Sequence, residues 1–184
     1  MIFPAIDFIR QQLVNKGLQA GIGNISEIIS DAANSPANAT VIVSLINIEE
    51  DRISRDNKNF IRKDGGIILK NPAVHLNLTL LFTSYRGAAA YGLSLQDIQN
   101  VISAFQQKNV FEQTSEPALA SAGIEKLILE MLSLNLQQLH EIWSVLGSKY
   151  YPSVVYRMRM VVIDTIPDLQ GPMIEEIRAD YSKI

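Results

Sequence analysis

Residues 71–85 read NPAVHLNLTLLFTSY. After an Asn-Pro turn the residues alternate, with Val74, Leu76, Leu78, Leu80 and Phe82 on one side and His75, Asn77 and Thr79 on the other. Period-two alternation of this length predicts a half-buried β-strand. It also fixes the register, because a slip of one residue would turn every leucine to the wrong face. A chain built around this strand must supply further strands beside it and an apolar cover for its leucine side.

Two more segments read as partners in such a sheet. VIVSLINIEEDRI (41–53) is β-branched and apolar first and acidic later, as expected of a strand running out of a core into solvent. SVVYRMRMVVID (153–164) puts Val154, Tyr156, Met158, Met160 and Val162 on one face and Arg157 and Arg159 on the other. A further strand is expected at 124–134, with Leu127, Leu129 and Met131 opposite Lys126, Ile128 and Glu130. A weaker strand signal lies at 22–32.

The covers are amphipathic helices. Ile2, Ile6, Ile9 and Leu13 recur at helical spacing, Pro4 sits in the first turn, and Gly17 ends the pattern. Ser94 with Asp97 reads as a capping box opening a helix over 94–107, its stripe being Leu95, Ile98, Val101, Ile102 and Phe105. Asn135 with Gln138 opens another over 135–147, with Leu136, Leu139, Ile142, Trp143 and Leu146 as stripe and Gly147 as stop. The two stripes share a phase, which suggests paired covers on one sheet face. Hairpins outnumber βαβ units, so the expected fold class is α/β of the α+β kind, a mostly antiparallel sheet with amphipathic helices packed on one face. Residues 1–165 are expected to form one domain. The remainder, 166–184, has an apolar helical pattern around Met173, Ile174 and Ile177 and reads as an arm or a docked helix.

The segment 52–70 stands out by its length and charge. It carries Arg52, Arg55, Lys58, Arg62 and Lys63 ahead of an Asp-Gly-Gly turn at 64–66. A connection this long in a compact domain is more often functional or mobile than idle. Asp51, Asp56 and Asp64 are interleaved and only Phe60 is available to stack, so nucleic acid is not the expected partner. A net charge of −3 points the same way.

Catalytic motifs are missing. There is no cysteine, which excludes a thiol nucleophile and a disulfide scaffold. His75 and His140 have no second histidine at metal-ligand spacing. No nucleophile elbow or phosphate loop is present, and Gly21-Ile22-Gly23 is too short for a dinucleotide fingerprint. Glu49-Glu50-Asp51 lacks the alternating oxygens and glycine of a calcium loop. The chain therefore reads as a binding protein without a cofactor, not an enzyme. Asp7 and Arg10 interrupt the N-terminal apolar pattern, so it is not read as a signal peptide, and no run reaches the roughly 18 apolar residues of a membrane helix. The arginines and lysines at 52, 55, 58, 62, 63, 157 and 159 are the candidate interface.

Taken together, MIFPAIDFIRQQL, VSLINIEEDRISRD, NPAVHLNLTLLFTSY, YGLSLQDIQNVISAFQQ and LQQLHEIWSVLGSKYYPSVVYRMRMVVID resemble the tail-terminator, or cap, proteins of phage-tail-like contractile injection systems. These include the antifeeding-prophage and Photorhabdus-virulence-cassette particles and type VI subtype iii relatives. The likeness is most specific at Asn71-Pro72 and at Trp143, Tyr151-Pro152-Ser153 and Tyr156-Arg157. It implies a homo-hexameric ring that sits on the last ring of the inner tube, stops its growth and holds the end of the contractile sheath. It implies assembly in the cytoplasm, into a particle that is either released or membrane-anchored, without insertion of this chain in a membrane. A baseplate adaptor of the same particle is the alternative.

Overall fold

The structure, a computed structural model, describes residues 1–51, 60–63, 66–69, 75–86, 88–147 and 149–162. The alternating segment is a strand at its centre. β5 (His75–Ser84) lies between β2 (Val41–Glu50) and β8 (Ser153–Val162), antiparallel to both. β7 (Ile124–Leu132) continues the sheet beyond β8, and the short strands β1 (Ala20–Ile22) and β6 (Val110–Glu112) close its two edges. The order is β1-β2-β5-β8-β7-β6, and only β1 against β2 is parallel. The expected fold class, a mixed α and β domain with a mostly antiparallel sheet, is the one observed.

Pleating sorts the sheet's side chains into two faces. On the first, Val41, Val43, Leu78, Leu80, Phe82, Leu127, Leu129, Tyr156, Met158 and Met160 are buried. α1 (Ile2–Asn15), α3 (Tyr91–Gln107) and α4 (Pro117–Ser121) cover them with Ile6, Phe8, Ile9, Leu13, Val101, Phe105 and Leu119. Phe82, Phe105 and Tyr156 pack with centroids 5.1–5.6 Å apart and tie β5, β8 and α3 together.

On the second face, Ile42, Leu81 and Val155 pack under α2 (Ile25–Ser30) and α5 (Leu136–Val145), whose anchors are Ile25, Ile28 and Trp143. The helices at 94–107 and 135–147 therefore lie on opposite faces and are not paired covers of one. The reason is visible at Leu80-Leu81-Phe82. Alternation lapses there, and Leu81 gives the far face an apolar half that needs its own cover.

Local expectations fare unevenly. α1 ends where Gly17 takes φ +86°. α5 has the expected capping box, in which Asn135 Oδ1 accepts from Gln138 N–H at 2.9 Å and Gln138 Oε1 from Asn135 N–H at 3.0 Å. The strand expected at 22–32 is a helix, α2, because Asn24 caps it by accepting from Ser26 N–H, and the strand there is only Ala20–Ile22. α3 begins three residues before Ser94, so Ser94 is not a cap and Asp97 is buried inside the helix. Its buried stripe is Ser94, Asp97, Val101, Ala104 and Phe105, which leaves Leu95 half exposed. Within the long basic connection, β3 (Phe60–Lys63) pairs with β4 (Gly66–Leu69) as a separate hairpin. Lys63 opposes Gly66, and Asp64 and Gly65 of the expected tight turn lie outside the described residues. Arg52, Arg55, Lys58, the Asn71-Pro72 start and the 166–184 arm lie outside the described residues.

Candidate interaction face

Among the described residues, the second face of the sheet is half covered. Leu81 and Val155 mark its apolar half, beneath α2 and α5. Toward the other end of the same strands the residues on this face become polar: Asn47 and Glu49 on β2, Asn77 and Thr79 on β5, Arg157 and Arg159 on β8, and Glu130 on β7. The hydrogen-bonded register places these side chains in rows. Asn47, Thr79, Arg157 and Glu130 form one row across four strands, and Glu49, Asn77, Arg159 and Ile128 the next. A β-bulge between Leu45 and Asn47 keeps Asn47 in register with Thr79.

Charge is not simply paired across the rows. Glu130 stands opposite Arg157 but bonds Arg159 diagonally, its two oxygens accepting from Arg159 Nη2 at 2.8 and 3.0 Å. Among the described residues no carboxylate bonds the Arg157 guanidinium. On β2, Glu49 accepts from Asn47 Nδ2 at 2.8 Å. Arg157 and Arg159, expected as interface residues, thus stand together on an open face. Arg62 and Lys63 belong to β3, and the hairpin's two strands connect in sequence to the ends of β2 and β5 that carry the polar half. His75 starts β5 beside this patch, while His140 is exposed on α5, far along the chain.

Hydrogen bonding is incomplete on this face in particular. Asn77 Oδ1, Thr83 Oγ1, Ser153 Oγ and Trp143 Nε1 are shut off from solvent and find no partner among the described residues. All four lie on the second face or on the helix covering it, and Thr83 and Ser153 are cross-strand neighbours.

Between α5 and this face runs a groove of about 770 Å³, lined by Leu45, Ile46, Thr79, Ile142, Val145 and Leu146 with Glu49 and Glu141 at its polar walls. Val145 is 88 % exposed and Leu136 86 % exposed, although both sit on a helix with an apolar stripe. The sequence could not separate these from core residues, since α5 buries only Trp143 fully. A second feature missed from sequence is the cluster at the start of α3. Asp97 accepts from Arg86 Nε at 2.6 Å, from Arg86 Nη2 at 3.1 Å and from Ser84 Oγ at 2.9 Å. The Asp97 hydrogen bond raises the Arg86 guanidinium above its usual range, outweighing desolvation, so Arg86 stays charged at any physiological pH. It clamps α3 to the end of β5.

Among the described residues no three histidines or carboxylates converge as a metal site, and no helix is long and apolar enough to cross a membrane.

The family model of the Pvc16 N-terminal domain matches residues 6–176. The chain belongs to the Pvc16 N-terminal domain family. Two solved structures share its fold. One is the tube-terminating cap of the anti-feeding prophage, with TM-score 0.55 and 17 % identity over 77 % of this chain and 49 % of that one. The other is the sheath/tube terminator, in its extended state, of the extracellular contractile injection system PVC, with TM-score 0.64 and 14 % identity over 100 % of this chain and 62 % of that one. The chain spans about half to three-fifths of the length of these structures. No curated protein matches the sequence. The resemblance carried by the segments quoted above is thus borne out in family and in fold.

Proposed function

We propose that this chain caps a phage-tail-like contractile injection particle, ending its inner tube and holding the end of its sheath as a homo-hexameric ring. The observation that carries the reading is the family match across residues 6–176, joined to a fold shared over the whole chain with a sheath/tube terminator. The half-covered sheet face supports it. A cap needs a surface for its template, and this face offers Arg157 and Arg159 side by side on one strand of the sheet. The basic residues Arg52, Arg55, Lys58, Arg62 and Lys63 are further candidates for contact with a neighbouring copy or the tube. Arginine is enriched at such surfaces because its planar guanidinium bonds partners at several points. The role is binding, with no cofactor and no chemical step. Assembly takes place in the cytoplasm, with the particle later released or anchored.

Electron microscopy of particles from a strain lacking the gene tests the reading. Tubes of uncontrolled length, or sheaths lost from the end far from the baseplate, are expected. Normally capped particles with a defective baseplate would instead assign the chain to an adaptor at that end.

A further inference from the structure

We propose that the chain's own C-terminal segment, through Met173, Ile174 and Ile177, fills the groove between α5 and the sheet. The groove asks for an apolar occupant. Val145 lies almost fully exposed at its rim, and Ile46, Ile142 and Leu146 continue the apolar lining inward. An isolated helix does not present such a face to water without an occupant for it.

Two observations point to this segment. First, the described chain ends at Val162, on the same sheet and at the end where the second face is open. The groove lies beside Thr79, whose cross-strand partner is Arg157. The strand path back from Val162 to Arg157 is about 17 Å, while the stretch between Val162 and Met173 spans up to roughly 35 Å when extended. Pro167 and Gly171-Pro172 supply the turn chemistry for a reversal. Second, the family match continues to residue 176, well past the end of β8, so the segment carrying Met173 and Ile174 is part of the domain that relatives share.

The absence of cysteine makes a direct test available. Val145→Cys introduces a single thiol at the groove, and its reaction rate with a small maleimide reads whether the groove is filled. A segment docked nine-tenths of the time slows labelling about tenfold relative to a chain stopped after Asp164. A full-length chain with Met173→Ser, Ile174→Ser and Ile177→Ser should label as fast as the shortened one, which covers the case in which the shortened chain fails to fold. A Val14→Cys thiol on α1, on the other side of the sheet, should label equally in all three. Equal rates for the Val145→Cys thiol in all three backgrounds would overturn the proposal. Protection that disappears on dilution would overturn it too, assigning the groove to a second copy. Both readouts use the isolated chain, so they are independent of whether it caps a particle.

Discussion

Asp97 shows how one residue can look like a local signal and serve a tertiary purpose. Ser94-x-x-Asp97 has the spacing of a capping box, yet its carboxylate reaches back across a turn to Arg86 and Ser84. The Asp97 side chain is 9 % exposed and that of Arg86 27 % exposed, so the pair is screened less than a surface bridge. Asp97→Ala leaves the guanidinium beside a buried hydroxyl without its acceptor and should cost about 2–3 kcal/mol. Replacing both partners, as Arg86→Met with Asp97→Leu, should cost less than the single change, since no stranded charge remains. Urea unfolding midpoints of the two variants decide this. A double variant less stable than Asp97→Ala would mean the pair contributes more than it costs to desolvate.

At the scale of elements, the two helices that look alike in sequence differ in how they start. α5 is closed by reciprocal bonds between Asn135 and Gln138, whereas α3 runs from Ala90 with no side-chain cap. Asn135→Ala should therefore destabilise the protein by about 1 kcal/mol, and Ser94→Ala by only a few tenths. Parallel thermal melts check the difference, and equal losses would show that the cap bonds of Asn135 are not held in solution. Strands are the most legible elements. β5, β7 and β8 fall where alternation puts them, because a strand buried on one face writes its period into the sequence. β6 and α4 give no signal: three residues and five residues are too short to show a period. α2 reads as a strand because isoleucines at 25, 28 and 29 suit either element, and the deciding bond at Asn24 is a cap.

For the whole molecule, one face of the sheet is closed by three helices and the other, among the described residues, is half covered. Under the proposed role the first side serves the chain's own core and the polar half of the second is the candidate surface for neighbours. Arg157→Glu with Arg159→Glu reverses the charge of the open face without touching the core. The Arg159–Glu130 pair is exposed, with side chains 45 % and 40 % accessible, and is worth about 0–1 kcal/mol. The double variant should therefore melt within a few degrees of the parent and still fail to cap particles in the electron microscope. Normal capping would move the template-binding surface off this face and onto the 52–70 segment or the first face.

The sequence alone determined β2, β5, β7 and β8, the amphipathic helices α1, α3 and α5, and the family, because periodicity and characteristic segments are properties of residues in order. It also placed Arg157 and Arg159 on one strand face, since alternation fixes which residues point together. Which helix covers which face was decided by tertiary structure. A helical stripe states that a cover is needed, not which side of the sheet receives it; Ile42, Leu81 and Val155, out of phase with the first face, carried that information and only packing made it readable. The groove beside Val145, the Asp97–Arg86 clamp and the unpaired atoms of the second face likewise come from juxtaposing segments distant in the chain, where hydrogen bonding and burial are settled by neighbours in space rather than in sequence.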